Sequence, residues 1–373
     1  KRRRFQFLPL ISMVVQQQAD SELLRSAHQA ALDYFLAHLP APPWESLEDL
    51  TEYLDGFYHA GELGEWQLAF DILNEERGGE GKNKSVEEFL DLQGFYRQRT
   101  QLYEQVIAGS KREQVCYRKS LNLLGLCYYH LGQYEKAINY HQQSLKIEEE
   151  MGNRQGVASS LGNLGLCYYS FGQYEKAIVH HQQHHDISEE IGDRKGMAIS
   201  LGSLGSCYRS LGHYKKAIAY LQQSHDINEE IGNRQGVASS LGNLGNCYDS
   251  LEQYEKAINH HQRYHDISEE IGFQQGMAIS LHNIGVAFSK LENNSEAETK
   301  IQESLVISKE INFKPLTANS FKALAEIAHQ TNQPQLALTH CQAAFTLSQE
   351  LGIPLVKDCE ELLAKIQDDL EVV

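Results

Sequence analysis

The chain has 373 residues, 41% of them hydrophobic, and a formal net charge of −17 at pH 7. An acidic balance of that size argues against a nucleic-acid or anionic-membrane surface, both of which attract basic patches, and it suits a protein whose partners are basic. The seven cysteines are odd in number and show no CxxC spacing, so neither a zinc ribbon nor a thioredoxin-type pair is indicated.

Lys1-Arg2-Arg3-Arg4 and the apolar run after it have the outline of a signal peptide. Pro9 interrupts that run, however, and Gln16-Gln17-Gln18 follows without a small-residue cleavage site. The run is also shorter than the roughly 20 residues that span a bilayer. Residues 1–19 read as a terminal segment left by an upstream domain, and the lysine start as a piece of a longer polypeptide. Residues 20–112 are helical but irregular. Gly64-Glu65-Trp66 with Ala69, and Gly94-Phe95-Tyr96, mark the turns of two helical hairpins, separated by a loop at Gly78-Gly79-Glu80-Gly81.

From 113 to 351 the sequence repeats every 40 residues, six times, without an insertion. Gly125, Gly165, Gly205, Gly245 and Gly285 keep that spacing, with Ala325 in the sixth slot. Twelve residues after each stands Ala137, Ala177, Ala217, Ala257, Ala297 or Ala337. A fixed period of this size defines a solenoid, whose units must stack to bury their apolar faces. Each repeat reads as two helices. Ala158, Leu161, Leu164, Gly165 and Tyr168 make one apolar face, Phe171-Gly172-Gln173 a turn, and Tyr174, Ala177, Ile178 and His181 the next face. The glycine is expected at the closest helix approach, with the alanine meeting it. Asn153, Asp193 and Asn233 stand where first helices begin and can cap them, whereas Phe273 cannot. Glu148, at the far end of a second helix, is expected to matter neither to stability nor to binding.

Cys127, Cys167, Cys207 and Cys247 follow the same period. Equivalent positions in stacked repeats lie at least about 8–10 Å apart, beyond the roughly 7 Å that a disulfide bridges. They read as buried free thiols in a reducing, cytoplasmic setting. An 80-residue unit has been duplicated, since residues 153–165 are identical to 233–245 and 186–192 to 266–272. Residues 352–373 form a final helix behind Pro354. Its apolar Leu362, Leu363 and Ile366 oppose the charged Glu360, Glu361, Lys365, Asp368 and Asp369, which suits a cap closing the stack.

The pattern Asn163-Leu164-Gly165, Tyr168, Gly172-x-Tyr174, Ala177 and Ile178 resembles the tetratricopeptide repeat, in the 40-residue form of kinesin light chains and Pins-type adaptors. The resemblance covers about 240 residues and implies an all-α, right-handed superhelical solenoid of helix-turn-helix repeats. The chain departs from the pattern late in the second helices, where Ser144, His184, Ser224 and Tyr264 replace small or aliphatic residues, followed by Leu145, His185, His225 and His265. Residues 5–11 and the helix after them are similar to the end of a winged-helix module in signalling ATPases of the STAND class, which carry such repeats as sensors.

No Walker A loop, GxSxG, HExxH or Gly-rich Rossmann turn occurs, so neither catalysis nor a cofactor is expected. His180, His181, His184 and His185, echoed by His260, His261 and His265, offer pairs four apart that could give a metal two ligands. Without a third ligand they read instead as polar spacers between helices, or as a pH-sensitive interface. The face of the first helices opposite the apolar one carries Ser159, Asn163, Leu166 and Tyr169; then Ser203, Ser206 and Arg209; then Asn243, Asn246 and Asp249; then His282, Asn283 and Lys290. Small polar groups on a helix face are ordinarily just solvated. The resemblance implies that this face lines a concave groove, and that Asn163, Asn243 and Asn283, with Ser203 as a weaker substitute, bond the backbone of a bound segment. The expected function is non-catalytic binding of a peptide or protein partner. The alternatives are the sensor portion of a STAND ATPase and a scaffold that self-associates.

Overall fold

A computed structural model describes residues 21–76 and 85–371. The upstream remnant expected at 1–19 and the loop expected at 78–81 lie outside them. All regular structure among the described residues is helical. The early helices are α1 (Ser21–Ala37), α2 (Thr51–Glu62), α3 (Trp66–Asn74), α4 (Val86–Leu92) and α5 (Tyr96–Gly109). The repeats supply α6 (Val115–His130), α7 (Tyr134–Glu150), α8 (Arg154–Ser170), α9 (Tyr174–Glu190), α10 (Arg194–Ser210), α11 (Tyr214–Glu230), α12 (Arg234–Ser250) and α13 (Tyr254–Glu270). They continue with α14 (Gln274–Lys290), α15 (Asn294–Glu310), α16 (Lys314–Gln330) and α17 (Pro334–Leu351), and α18 (Leu355–Glu371) ends the series.

The helices fall into two compact units, Lys1–Phe171 and Gly172–Val373. In the first, the two early hairpins are α2 with α3 and α4 with α5, and they share one core with α6 and α7. Trp44, Tyr53, Phe57, Phe70, Phe89 and Tyr103 fill it, so this irregular region is held by large aromatic rings rather than by the small residues of the repeats. Arg99 is buried there between Glu87 and Asp91, which supply the counter-charge that burial demands. In the second unit, each first helix packs on its own second helix, and α10, α12, α14, α16 and α18 also touch one another in succession. The first helices therefore make one continuous layer in that unit.

The glycine register behaves as its spacing predicts, with one refinement. A Cβ on Gly205 would lie 2.6 Å from Leu221 and 3.3 Å from the Ala217 carbonyl oxygen. Gly285 meets Ile301 and the Ala297 carbonyl in the same way, and Gly125 in the first unit meets the His141 ring. The alanine admits the close approach through its backbone, while the side chain sixteen residues after the glycine fills the seam. All six alanines are fully buried.

The caps form where expected. Asn153, Asp193 and Asn233 accept from the amides of Gly156, Gly196 and Gly236 at 3.3, 2.9 and 3.1 Å. Phe273 has no side-chain cap, and neither does Phe313 one repeat on. Two buried serines of the second helices, Ser144 and Ser224, meet a serine of the next repeat, whereas the Ser188 hydroxyl is buried without a partner. Ser144 bonds Ser160 at 3.1 Å in the first unit, and in the second Ser224 donates to the Ala198 carbonyl at 2.8 Å and meets Ser240 at 3.2 Å.

Glu148 is a correction. It is buried, takes Arg118 Nη1 at 3.1 Å, and accepts from Asn153 Nδ2 at 2.6 Å. That last bond turns the Asn153 oxygen toward the helix it caps, so Glu148 is part of the repeat junction. Asn228 holds Asn233 in the same way at 2.7 Å.

Gly205→Leu is expected to destabilise the array by about 1–3 kcal/mol or more, because neither Leu221 nor a backbone carbonyl can withdraw. Ser206→Ala removes only a bond to the Gly202 carbonyl of its own helix and should be near neutral. Thermal melts of the two variants decide it, and equal midpoints would mean that the seam is misplaced.

Candidate functional site

The candidate face is carried by the first helices, whose inner layer exposes every third or fourth side chain. In the first unit, Asn163 Nδ2 donates to Asn122 Oδ1 at 2.8 Å, and the His141 Nδ1 lies 3.1 Å from that same oxygen. Tyr129 and Ser170 join their hydroxyls at 3.0 Å. Leu166 is exposed and Tyr169 half-buried. Asn163 is thus half-buried and already paired with the preceding repeat.

In the second unit, Ser203, Asn243, Asn246 and Asn283 are all half-buried. Asn283 Nδ2 donates to Asn246 Oδ1 at 3.3 Å, whereas Asn243 makes no hydrogen bond through its amide. Ser206 turns back onto its own helix. The half-buried Arg209 has its Nε buried without a partner. Asp249 pairs with His261 Nε2 at 3.0 Å. His282 bonds Ser320 at 3.2 Å, and burial, with a smaller push from Lys322, lowers its pKa to about 4. It is a neutral ring.

Lys290 does not belong to the series. The residue in register with Arg209 and Asp249 is Ser289, which reaches Gln330 at 3.5 Å, while Lys290 is exposed one position further along. Sequence reasoning also missed Asn122 and His141, which hold the face from below as His261 does through Asp249, and the Lys322–Glu326 pair at 2.7 Å that continues it on α16. Asn122 stands three residues before its glycine rather than two, outside the slot that Asn163, Asn243 and Asn283 share.

The histidines of α9 diverge. His181 and His184 are buried, and His185 meets Ser200 at 3.3 Å, an arrangement that His265 and Ser280 repeat at the same distance. Among the described residues, no group of three His, Cys, Asp or Glu is placed to hold a metal ion. All seven cysteines are buried free thiols, and burial raises several of them, Cys207 to about 12. No described helix is long and apolar enough to cross a membrane.

Comparison with known proteins agrees with this geometry. The tetratricopeptide repeat family model matches residues 117–190 and 196–270, and that of anaphase-promoting complex subunit 5 matches residues 246–331. The chain carries tetratricopeptide repeats, and its fold is the all-α solenoid of such arrays. Among solved structures, a STAND signal transduction ATPase with a tetratricopeptide repeat sensor from Pyrococcus horikoshii is 17% identical, over 96% of this chain and 57% of that one, with a TM-score of 0.58. The APC/C hetero-tetramer Cut9–Hcn1 is 17% identical over 91% and 58%, with a TM-score of 0.57. BtubC (BKLC) from P. vanneervenii is 17% identical over 60% and 92%, with a TM-score of 0.51. The chain spans less than two thirds of the first two, and at this identity the likeness is one of fold. No curated protein matches the sequence.

The buried imidazoles make a pH prediction. His141 is fully buried against Gly125 and Asn122, and burial lowers its pKa to about 4, below the ordinary 6.5. The unfolded chain therefore takes up its proton first as pH falls. Stability is full above about 6.5 and is lost down to about 4. Leu221 and Ile301 occupy the equivalent slot, so His141→Leu should be accepted and should flatten this loss by about 1–2 kcal/mol at pH 5. Denaturant midpoints at pH 5 and 7.5 test it; an unchanged pH slope would show that His141 does not titrate on unfolding.

Proposed function

We propose that this chain is a non-catalytic scaffold that holds an extended segment of a protein partner along the first-helix face of its repeats. The observation that supports this best is the row of short, half-buried polar groups in the second unit, Ser203, Asn243, Asn246 and Asn283. One of them, Asn243, presents an amide with both donor and acceptor unused. A peptide backbone needs donors and acceptors at intervals, and amide side chains one repeat apart can supply them. Arg209 and Asp249 flank that row with opposite charge, which suits a partner chosen by a few side chains and held mainly by its main chain.

The test begins with the full chain as bait and identification of what it retains. Calorimetry on the identified partner then compares the parent with Asn243→Ala. Loss of one buried hydrogen bond should weaken binding by about 0.5–1.5 kcal/mol, up to roughly tenfold, with the melting temperature unchanged. Light scattering on the same samples separates partner binding from self-association. Unaltered affinity in Asn243→Ala would move the binding surface off the first helices.

A further inference from the structure

The second unit carries a ladder of ion pairs along the edge where each second helix ends and the next first helix begins. A basic residue at the start of a first helix pairs with the glutamate that closes its own second helix. Arg194 pairs with Glu230, Arg234 with Glu270, and Lys314 with Glu350. Arg234 adds a bond from Nε to Glu270 at 3.1 Å. In the repeat between the last two, the basic position is Gln274 and the glutamate is Glu310. Neither forms an ion pair or side-chain hydrogen bond.

An open notch of about 370 Å³ lies at this place, lined by Gly272, Gln274, Gln275, Ile311, Asn312 and Phe313. Ile311 and Phe313 are half-buried, so the notch has an apolar wall, while the glutamine and asparagine side chains are exposed. Phe313 stands where earlier repeats place a capping Asn or Asp, so aromatic surface replaces a polar turn here. Glu310 is the last residue of α15, where the negative end of the helix dipole adds to its charge and a cation is favoured. Nearby cations are engaged elsewhere: Lys309 lies 4.8 Å over the Phe321 ring, and Lys314 holds Glu350 at 2.7 Å. Glu269 is exposed at the neighbouring helix end and adds a second negative charge to this edge.

We propose that this notch is a binding site for an arginine side chain of a protein partner, whose guanidinium completes the ladder that Gln274 interrupts. The site lies on a different surface from the first-helix face. Glu310 supplies the charge that the other rungs use. Planar guanidinium suits a carboxylate in a two-bond fork, and its aliphatic stem packs on Ile311 and Phe313. Gln274 and Gln275 offer carbonyl oxygens to the remaining N–H groups. The chain's charge of −17 draws basic partners toward it.

The test uses the full chain with labelled isoleucine methyl groups and, as probes, the capped tripeptide Ala-Arg-Ala and its counterpart with citrulline, which keeps the shape and loses the charge. The arginine peptide should move the Ile311 methyl signals saturably, and the citrulline peptide should bind roughly three- to fivefold more weakly. Glu310→Gln should reduce arginine binding to the citrulline level. Gln274→Arg should abolish it, because a tethered guanidinium then fills the notch. Absence of any Ile311 shift, equal binding of the two peptides, or undiminished binding to Gln274→Arg would each overturn the proposal.

Discussion

The close contact of glycine on a first helix with its own second helix fixes most of what the repeats can do. A Cβ at Gly205 would stand 2.6 Å from Leu221, which is tighter than a packed interior tolerates. Because the two backbones meet there, the first helix is thin on that side, and its other faces are free to touch the first helices before and after it. The layer of first helices in the second unit follows from that spacing. So does the half-buried state of Ser203, Asn243 and Asn283, of which Asn283 bonds Asn246 on the preceding first helix.

The same contact explains how second helices tolerate polar residues. The slot opposite the glycine holds His141, Leu221, His261 or Ile301, side chains of similar reach. An imidazole fits by size and is then stabilised by one bond, to Asn122 or to Asp249. Nearby, Gly242 leaves room for the Tyr264 ring, whose atoms would stand 3.2 Å from an added Cβ. The departures from the repeat pattern at Ser224 and Tyr264 are therefore accommodated within one geometry, opposite Gly202 and Gly242. The serines at this position bond across to the next repeat, Ser144 to Ser160 and Ser224 to Ser240, which satisfies hydroxyls that would be costly to bury alone.

Legibility in the sequence divides along this line. Whatever repeats with the period could be read: the glycine and alanine register, the helix pairs, the caps at Asn153, Asp193 and Asn233, and the missing cap at Phe273. What depends on how one repeat sits on the next could not. Asn163 is paired with Asn122 and Asn283 with Asn246, across 41 and 37 residues, and such partners are set by stacking geometry rather than by position within a repeat. Glu148 looked like a solvated end-of-helix charge because nothing in its own helix shows that Arg118 and Asn153 converge on it. Lys290 was drawn into the face by its charge, although the register belongs to Ser289.

Duplication left a physical trace as well as a textual one. In the second unit, Ser200 lies 3.3 Å from His185 and donates to the Met197 carbonyl at 2.8 Å, and Ser280 reproduces both distances with His265 and Met277. Identical residues have returned to identical contacts 80 positions later, so each hairpin's environment is set by its immediate neighbours, as a one-dimensional array requires. Under that rule, a single substituted repeat alters the chain only locally. Gln274 in place of arginine removes one edge ion pair while the pairs on either side, Arg234 with Glu270 and Lys314 with Glu350, keep their form. A solenoid can therefore vary one junction at a time without disturbing the helix seam that holds the rest.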